Sequence, residues 1–64
     1  MSYQLFEVWT ENEDGHQYLI ETTASLTEAR KIANEAISNG SNAAVIYQEN
    51  EQGDTEEIER VESD

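Results

Sequence analysis

The stretch Ser25-Leu26-Thr27-Glu28-Ala29-Arg30-Lys31-Ile32-Ala33-Asn34-Glu35-Ala36-Ile37-Ser38-Asn39-Gly40 decides how the rest of the chain must be arranged. Leu26, Ala29, Ile32, Ala33, Ala36 and Ile37 recur at helical spacing on one side, while Arg30, Lys31, Asn34, Glu35 and Ser38 take the other. Ser25 followed by Glu28 reads as a capping box, in which the serine hydroxyl accepts from the Glu28 amide and the Glu28 carboxylate accepts from the Ser25 amide. Gly40 stands where a left-handed glycine stops a helix. The pattern predicts one helix over residues 26–39, and its small alanines let it lie close to a sheet.

On the N-terminal side, Tyr3 to Glu11 mixes aromatic and branched residues with polar ones, as a half-buried strand does. Asn12-Glu13-Asp14-Gly15 follows as a turn, with Asp-Gly its strongest dipeptide. His16 to Thr23 is a second strand that closes a hairpin. Beyond the helix, Ala43 to Gln48 is a third strand, apolar through Tyr47, and Glu49 to Asp54 is a polar loop with Gly53 supplying conformational freedom. Thr55 to Glu62 is a fourth strand whose only large apolar residues are Ile58 and Val61. These are three apart, so strict alternation sets them on opposite faces; a bulge or a short helical turn reconciles them. Ser63 and Asp64 are expected to fray.

The order strand, strand, helix, strand, strand predicts an α+β fold in one domain spanning residues 1–64, with a four-stranded, mainly antiparallel sheet and one helix on one face. No proline interrupts it, and no internal repeat stands out beyond the two hairpins. Setting the third strand beside the first gives the order 2-1-3-4, antiparallel throughout. Setting it beside the second gives a mixed sheet, 1-2-3-4, with a right-handed crossover. The first is preferred, because it leaves the acidic fourth strand as a charged edge that resists aggregation.

The layout resembles small bacterial ββαββ domains without assigned function. The matching stretches are Thr27-Glu28-Ala29 through Ala33, then Gly40, Ala44-Val45-Ile46-Tyr47 and Gly53-Asp54. The last turn reads Gly-Asp where those domains carry Asp-Gly. The resemblance spans most of the chain and implies the fold.

Alternation divides each strand between two faces. Charged residues avoid the side under the helix, which assigns Phe6, Val8, Tyr18, Ile20, Ala44 and Ile46 to the core. Tyr3, Leu5, Trp9, Leu19, Val45 and Tyr47 then lie on the uncovered face. Three aromatics of about 150–250 Å² each make an apolar patch as large as the largest on ordinary monomers. These six residues are the candidate partner-binding surface, for a second copy or another protein. Two arrangements would remove the patch: a tail folded across it, or a bulge in the first strand that turns Trp9 inward.

A chain of 64 residues has a thin core, and of its 23 hydrophobic residues six are alanine. Short chains rely on disulfides, metals or self-association, and with no cysteine here, disulfides and thiolate metal sites are excluded. Self-association, as a homodimer, is the expected supplement. Fifteen carboxylates against Arg30, Lys31 and Arg60 give a net charge of −12, which disfavours phosphate backbones and anionic lipid and favours basic proteins as partners. Met1-Ser2-Tyr3-Gln4 has neither a basic region nor a long apolar stretch after it, so a cytoplasmic location is expected. Asn39-Gly40-Ser41 matches the glycosylation sequon, which carries no meaning there.

No constellation points to a reaction, and no catalytic residue, metal or cofactor is expected. His16 is the only histidine, in a turn, without a group at a defined spacing to orient it or act as nucleophile. Neither acidic turn follows the calcium-loop pattern. The C-terminal hairpin holds eight of the fifteen acids, among them Glu49, Glu51, Asp54, Glu56, Glu57, Glu59 and Glu62. On a regular strand Glu57 and Glu59 project to one side about 6.7 Å apart. Such an acidic edge suggests an alternative function, imitation of nucleic acid to block a basic nucleic-acid-binding protein. Duplex DNA is much denser in charge, with one every ~1.7 Å.

Overall fold

The computed structural model describes residues 5–63, in the order β1 (Leu5–Glu11), β2 (Gln17–Thr23), α1 (Leu26–Ser38), β3 (Ala43–Glu49) and β4 (Thr55–Glu62). The sheet runs β2-β1-β3-β4 with every neighbouring pair antiparallel. Of the residues expected to fray, Ser63 is held: its amide donates to the Asn42 carbonyl at 2.9 Å. Asp64 lies outside the described residues.

The helix ends follow from their residues. Ser25, in extended backbone, accepts from the Glu28 amide through its hydroxyl at 3.3 Å. Only this half of the expected capping box forms, because the Ser25 amide donates to Thr23 Oγ1 instead. At the other end Gly40 has φ +107°, and the amides of Gly40 and Ser41 donate to the carbonyls of Ile37 and Ala36. That is a Schellman stop, which satisfies carbonyls the last turn leaves open.

Beneath α1 the core gathers Phe6 and Val8 from β1, Ala44 and Ile46 from β3, and Ala29 and Ala33 from the helix. Leu26, Ile32, Ile37 and Val61 pack around it. The buried helix residues are all alanines, so the helix axis sits close over the two central strands. A helix held so close over the middle of a twisted sheet leaves the outer strands uncovered. For this reason Tyr18 and Ile20 are not core residues as alternation predicted: they are 54% and 44% exposed.

Both edge strands are bulged. Between Val8 and Trp9 the β1–β2 register shifts, so that Val8 faces Glu21, Trp9 faces Leu19, and Ile20 has no partner. Between Ile46 and Tyr47 the β3–β4 register shifts in the same way: Ile46 faces Glu59, Tyr47 faces Glu57, and Ile58 has no partner. The extra residue on β4 resolves the three-residue spacing of Ile58 and Val61. Because β1 pairs with β3 without interruption, the first bulge lies on β2 and leaves Trp9 facing away from the helix.

The two hairpins are repeats of one unit. A shift of 38 residues carries Trp9 onto Tyr47, Ile20 onto Ile58, and every β1–β2 pair onto a β3–β4 pair. It also carries the turn Glu11-Asn12-Glu13-Asp14-Gly15 onto Glu49-Asn50-Glu51-Gln52-Gly53. In each turn the asparagine side chain accepts from the amides two and four residues on, at 2.9–3.1 Å. The closing glycines have φ +85° and +86°. The Val8–Ile46 pair maps onto itself, so a pseudo-twofold axis passes through the sheet there, under the helix.

Candidate functional site

The face of the sheet opposite α1 carries Leu5, Glu7, Trp9 and Glu11 on β1, and Ala43, Val45, Tyr47 and Glu49 on β3. Gln17 and Leu19 on β2 share it, as do Thr55, Glu57, Arg60 and Glu62 on β4. At its middle, Trp9 and Tyr47, equivalent positions of the two repeats, meet edge to face with centroids 6.2 Å apart and planes at 83°. Such a pair contributes about 0.5–1.5 kcal/mol beyond the area it buries.

Each aromatic is anchored by its polar end. Trp9 Nε1 donates to Glu7 Oε1 at 3.0 Å, and Tyr47 Oη donates to Gln17 Oε1 at 2.9 Å. Gln17 Nε2 donates in turn to Glu11 Oε1 at 3.3 Å, and Arg60 Nη2 donates to Glu11 Oε2 at 2.6 Å. Tyr47, Gln17, Glu11 and Arg60 come from β3, β2, β1 and β4, so one chain of side-chain bonds ties all four strands together. Glu7, Trp9, Gln17, Tyr47 and Thr55 border a shallow depression on this face.

The Arg60 hydrogen bond, and after it the Gln17 amide, hold the Glu11 carboxyl below its ordinary 4.5, against an opposing push from burial. Glu11 raises the Arg60 guanidinium in return. A carboxyl whose folded value lies below its unfolded value adds stability above the unfolded value and loses it as pH falls through the folded one. Glu11→Gln is therefore expected to be less stable than the parent at neutral pH. The gap should close as the solution is acidified below 4.5. Urea melts of both proteins across that range check it; a gap that stays constant would mean the tie carries no linkage.

Of the six residues expected on this face, Trp9, Tyr47 and Leu5 are half-buried and Leu19 is 50% exposed. Val45 is on the predicted face but fully buried, enclosed between its register partners Trp9 and Arg60. Tyr3 lies outside the described residues. Alternation sets Gln17 on the face of Leu19, as found, and sets Glu21 there too, but the bulge carries Glu21 to the helix side opposite Val8. Sequence reasoning missed Glu11 and Arg60 as members of the face; Glu11 alternates with Trp9 and was within reach of the pattern, while the face of Arg60 depends on the bulge.

The acidic edge is split by the same bulge. Glu57 pairs with Tyr47 on the open face, while Glu59 pairs with Ile46 on the helix side. Glu59 accepts there from Arg30 Nε at 3.1 Å, and Arg60 lies 3.7 Å from Glu62. Glu57 and Glu59 thus do not form the row that a regular strand would give. Glu49 is on the open face, Glu56 pairs with Gln48 on the other, and Glu51 and Asp54 belong to the turn. Among the described residues no three acidic or histidine side chains converge as a metal site does, and no helix is long and apolar enough to cross a membrane.

Compared with protein-family models, with curated proteins and with solved structures, the chain matches none.

Proposed function

We propose that this chain is a small, non-catalytic protein-interaction module that takes a basic segment of another protein on its open sheet face. The observation that carries the reading is the Trp9–Tyr47 couple, half-buried on the face away from the helix, with Glu7, Glu11, Glu49 and Glu57 on the same face. An arginine or lysine laid over an indole face gains cation–π attraction within about 6 Å of the ring, and neighbouring carboxylates strengthen it. A net charge of −12 steers such a partner toward the surface. Self-association through this face has less support, because a second copy brings the same carboxylates, and the one guanidinium there already serves Glu11. Imitation of nucleic acid has less support as well, with Glu57 and Glu59 on opposite faces.

The single tryptophan provides the test. Titrating the protein with an arginine-rich peptide carrying alternate apolar residues should shift or quench Trp9 emission. Added salt should weaken the binding, and Tyr47→Ala should weaken it roughly tenfold or more. Binding that leaves the emission unchanged and survives Tyr47→Ala would place the basic partner elsewhere and remove this reading.

A further inference from the structure

The pseudo-twofold axis relates two carboxylates on the open face, Glu11 on β1 and Glu49 on β3, which the shift of 38 residues carries onto each other. Their surroundings differ. Glu11 is held by Arg60, with Nη2 to Oε2 at 2.6 Å, and Arg60 Nε lies 3.7 Å from Glu62. Glu49 takes part in no ion pair among the described residues. The residue equivalent to Arg60 in the first hairpin is Thr22, so the shared backbone does not require a base there. Arg60 is the one base on β4, among four carboxylates, and the two other bases of the chain lie on the helix. The bulge at Ile58 turns it to the open face, in register with Val45 and beside Trp9. To reach Glu11 from β4 its side chain crosses β3. The β3 residues between them, Ala43 and Val45, are almost completely buried although no helix covers this side. The Arg60–Glu11 pair is thus a strap over the middle of the open face.

We infer that Arg60 is a built-in competitor for the basic partner: in the free protein its guanidinium holds Glu11, the carboxylate that an arginine of the partner takes in the complex. The inference rests on the reading above and names what regulates that same surface. A guanidinium and a carboxylate make the same charge-assisted bonds whichever chain supplies the guanidinium. Displacing Arg60 also uncovers Val45 and Ala43, an apolar spot beside an acid. That pairing matches a segment in which arginine alternates with apolar residues. The exchange breaks one ion pair and forms one, so a lone basic side chain gains little from it. A segment that brings several contacts at once covers the cost, and the strap therefore selects extended basic partners over scattered single charges. Glu49, with no such competitor among the described residues, is open to the partner from the start.

Nuclear magnetic resonance of isotope-labelled protein, titrated with the unlabelled arginine-rich peptide, tests it, because the chain has only two arginines and each is ion-paired. Binding should shift the Arg60 Nε resonance and leave that of Arg30 in place. Arg60→Gln should bind the peptide roughly tenfold more tightly than the parent. Arg30→Gln removes the same charge from the helix side, where Arg30 bonds Glu59, and should change the affinity less than about threefold. Circular dichroism verifies that each variant folds, and the resonance measurement on the parent depends on neither. Peptide binding that changes Trp9 emission but leaves the Arg60 resonance fixed, or that Arg60→Gln strengthens no more than Arg30→Gln does, would overturn the competitor and keep the binding face. A peptide that binds neither the parent nor Arg60→Gln would remove the face and the competitor together.

Discussion

Ile46→Ala is expected to destabilise the fold by about 2–5 kcal/mol and to lower its urea midpoint sharply. Ile46 is fully buried and pairs with Val8 on the pseudo-twofold axis, where the two hairpins meet under the helix. Removing its outer carbons leaves a cavity that rigid strands on either side cannot collapse to fill. A domain of this length typically has about 0.05–0.15 kcal/mol of stability per residue, so the loss is a large fraction of the total. Urea denaturation followed by Trp9 fluorescence measures it. A loss below about 1 kcal/mol would show that the centre of the sheet relaxes in a way that close packing forbids.

The second large effect concerns the helix. Ala33→Leu adds three carbons at a site with no exposure, between α1 and the Val8 and Ile46 side chains. Overpacking of this kind costs about 1–3 kcal/mol. The same change at exposed Ala24 should fall within about 0.5 kcal/mol of the parent. Melting both variants side by side separates the packing effect from any general effect of leucine. If Ala33→Leu stabilised the protein, the close approach of helix to sheet would be a loose fit rather than a limit.

Much of this fold is legible in the amino-acid order because its signals are local. The helical spacing of Leu26 through Ile37, the Ser25 cap and Gly40 each depend on residues within a turn or two, and they mark a helix of residues 26–38 where 26–39 was expected. Phe6, Val8, Ala44 and Ile46 were identifiable as core because alternation holds along β1 and β3. Alternation fails on β2 and β4, where one added residue reverses the faces beyond it. That reversal moved Glu21 to the helix side, separated Glu57 from Glu59, and set Arg60 against Glu11. Nothing within either edge strand announces a bulge, although the spacing of Ile58 and Val61 hinted at one. The repeat was hidden for a different reason. Its identical part is mostly the turn, with Ile20 and Glu21 matching Ile58 and Glu59, while the rest of the strands share geometry and exchange their side chains.

That exchange has a consequence for growth. A ribbon with two receptive borders adds copy after copy and becomes a fibre. Here one border, β4, is closed by carboxylates that would face the carboxylates of any newcomer. A sheet shut along β4 in this way has one side from which such stacking cannot proceed, whatever meets the other.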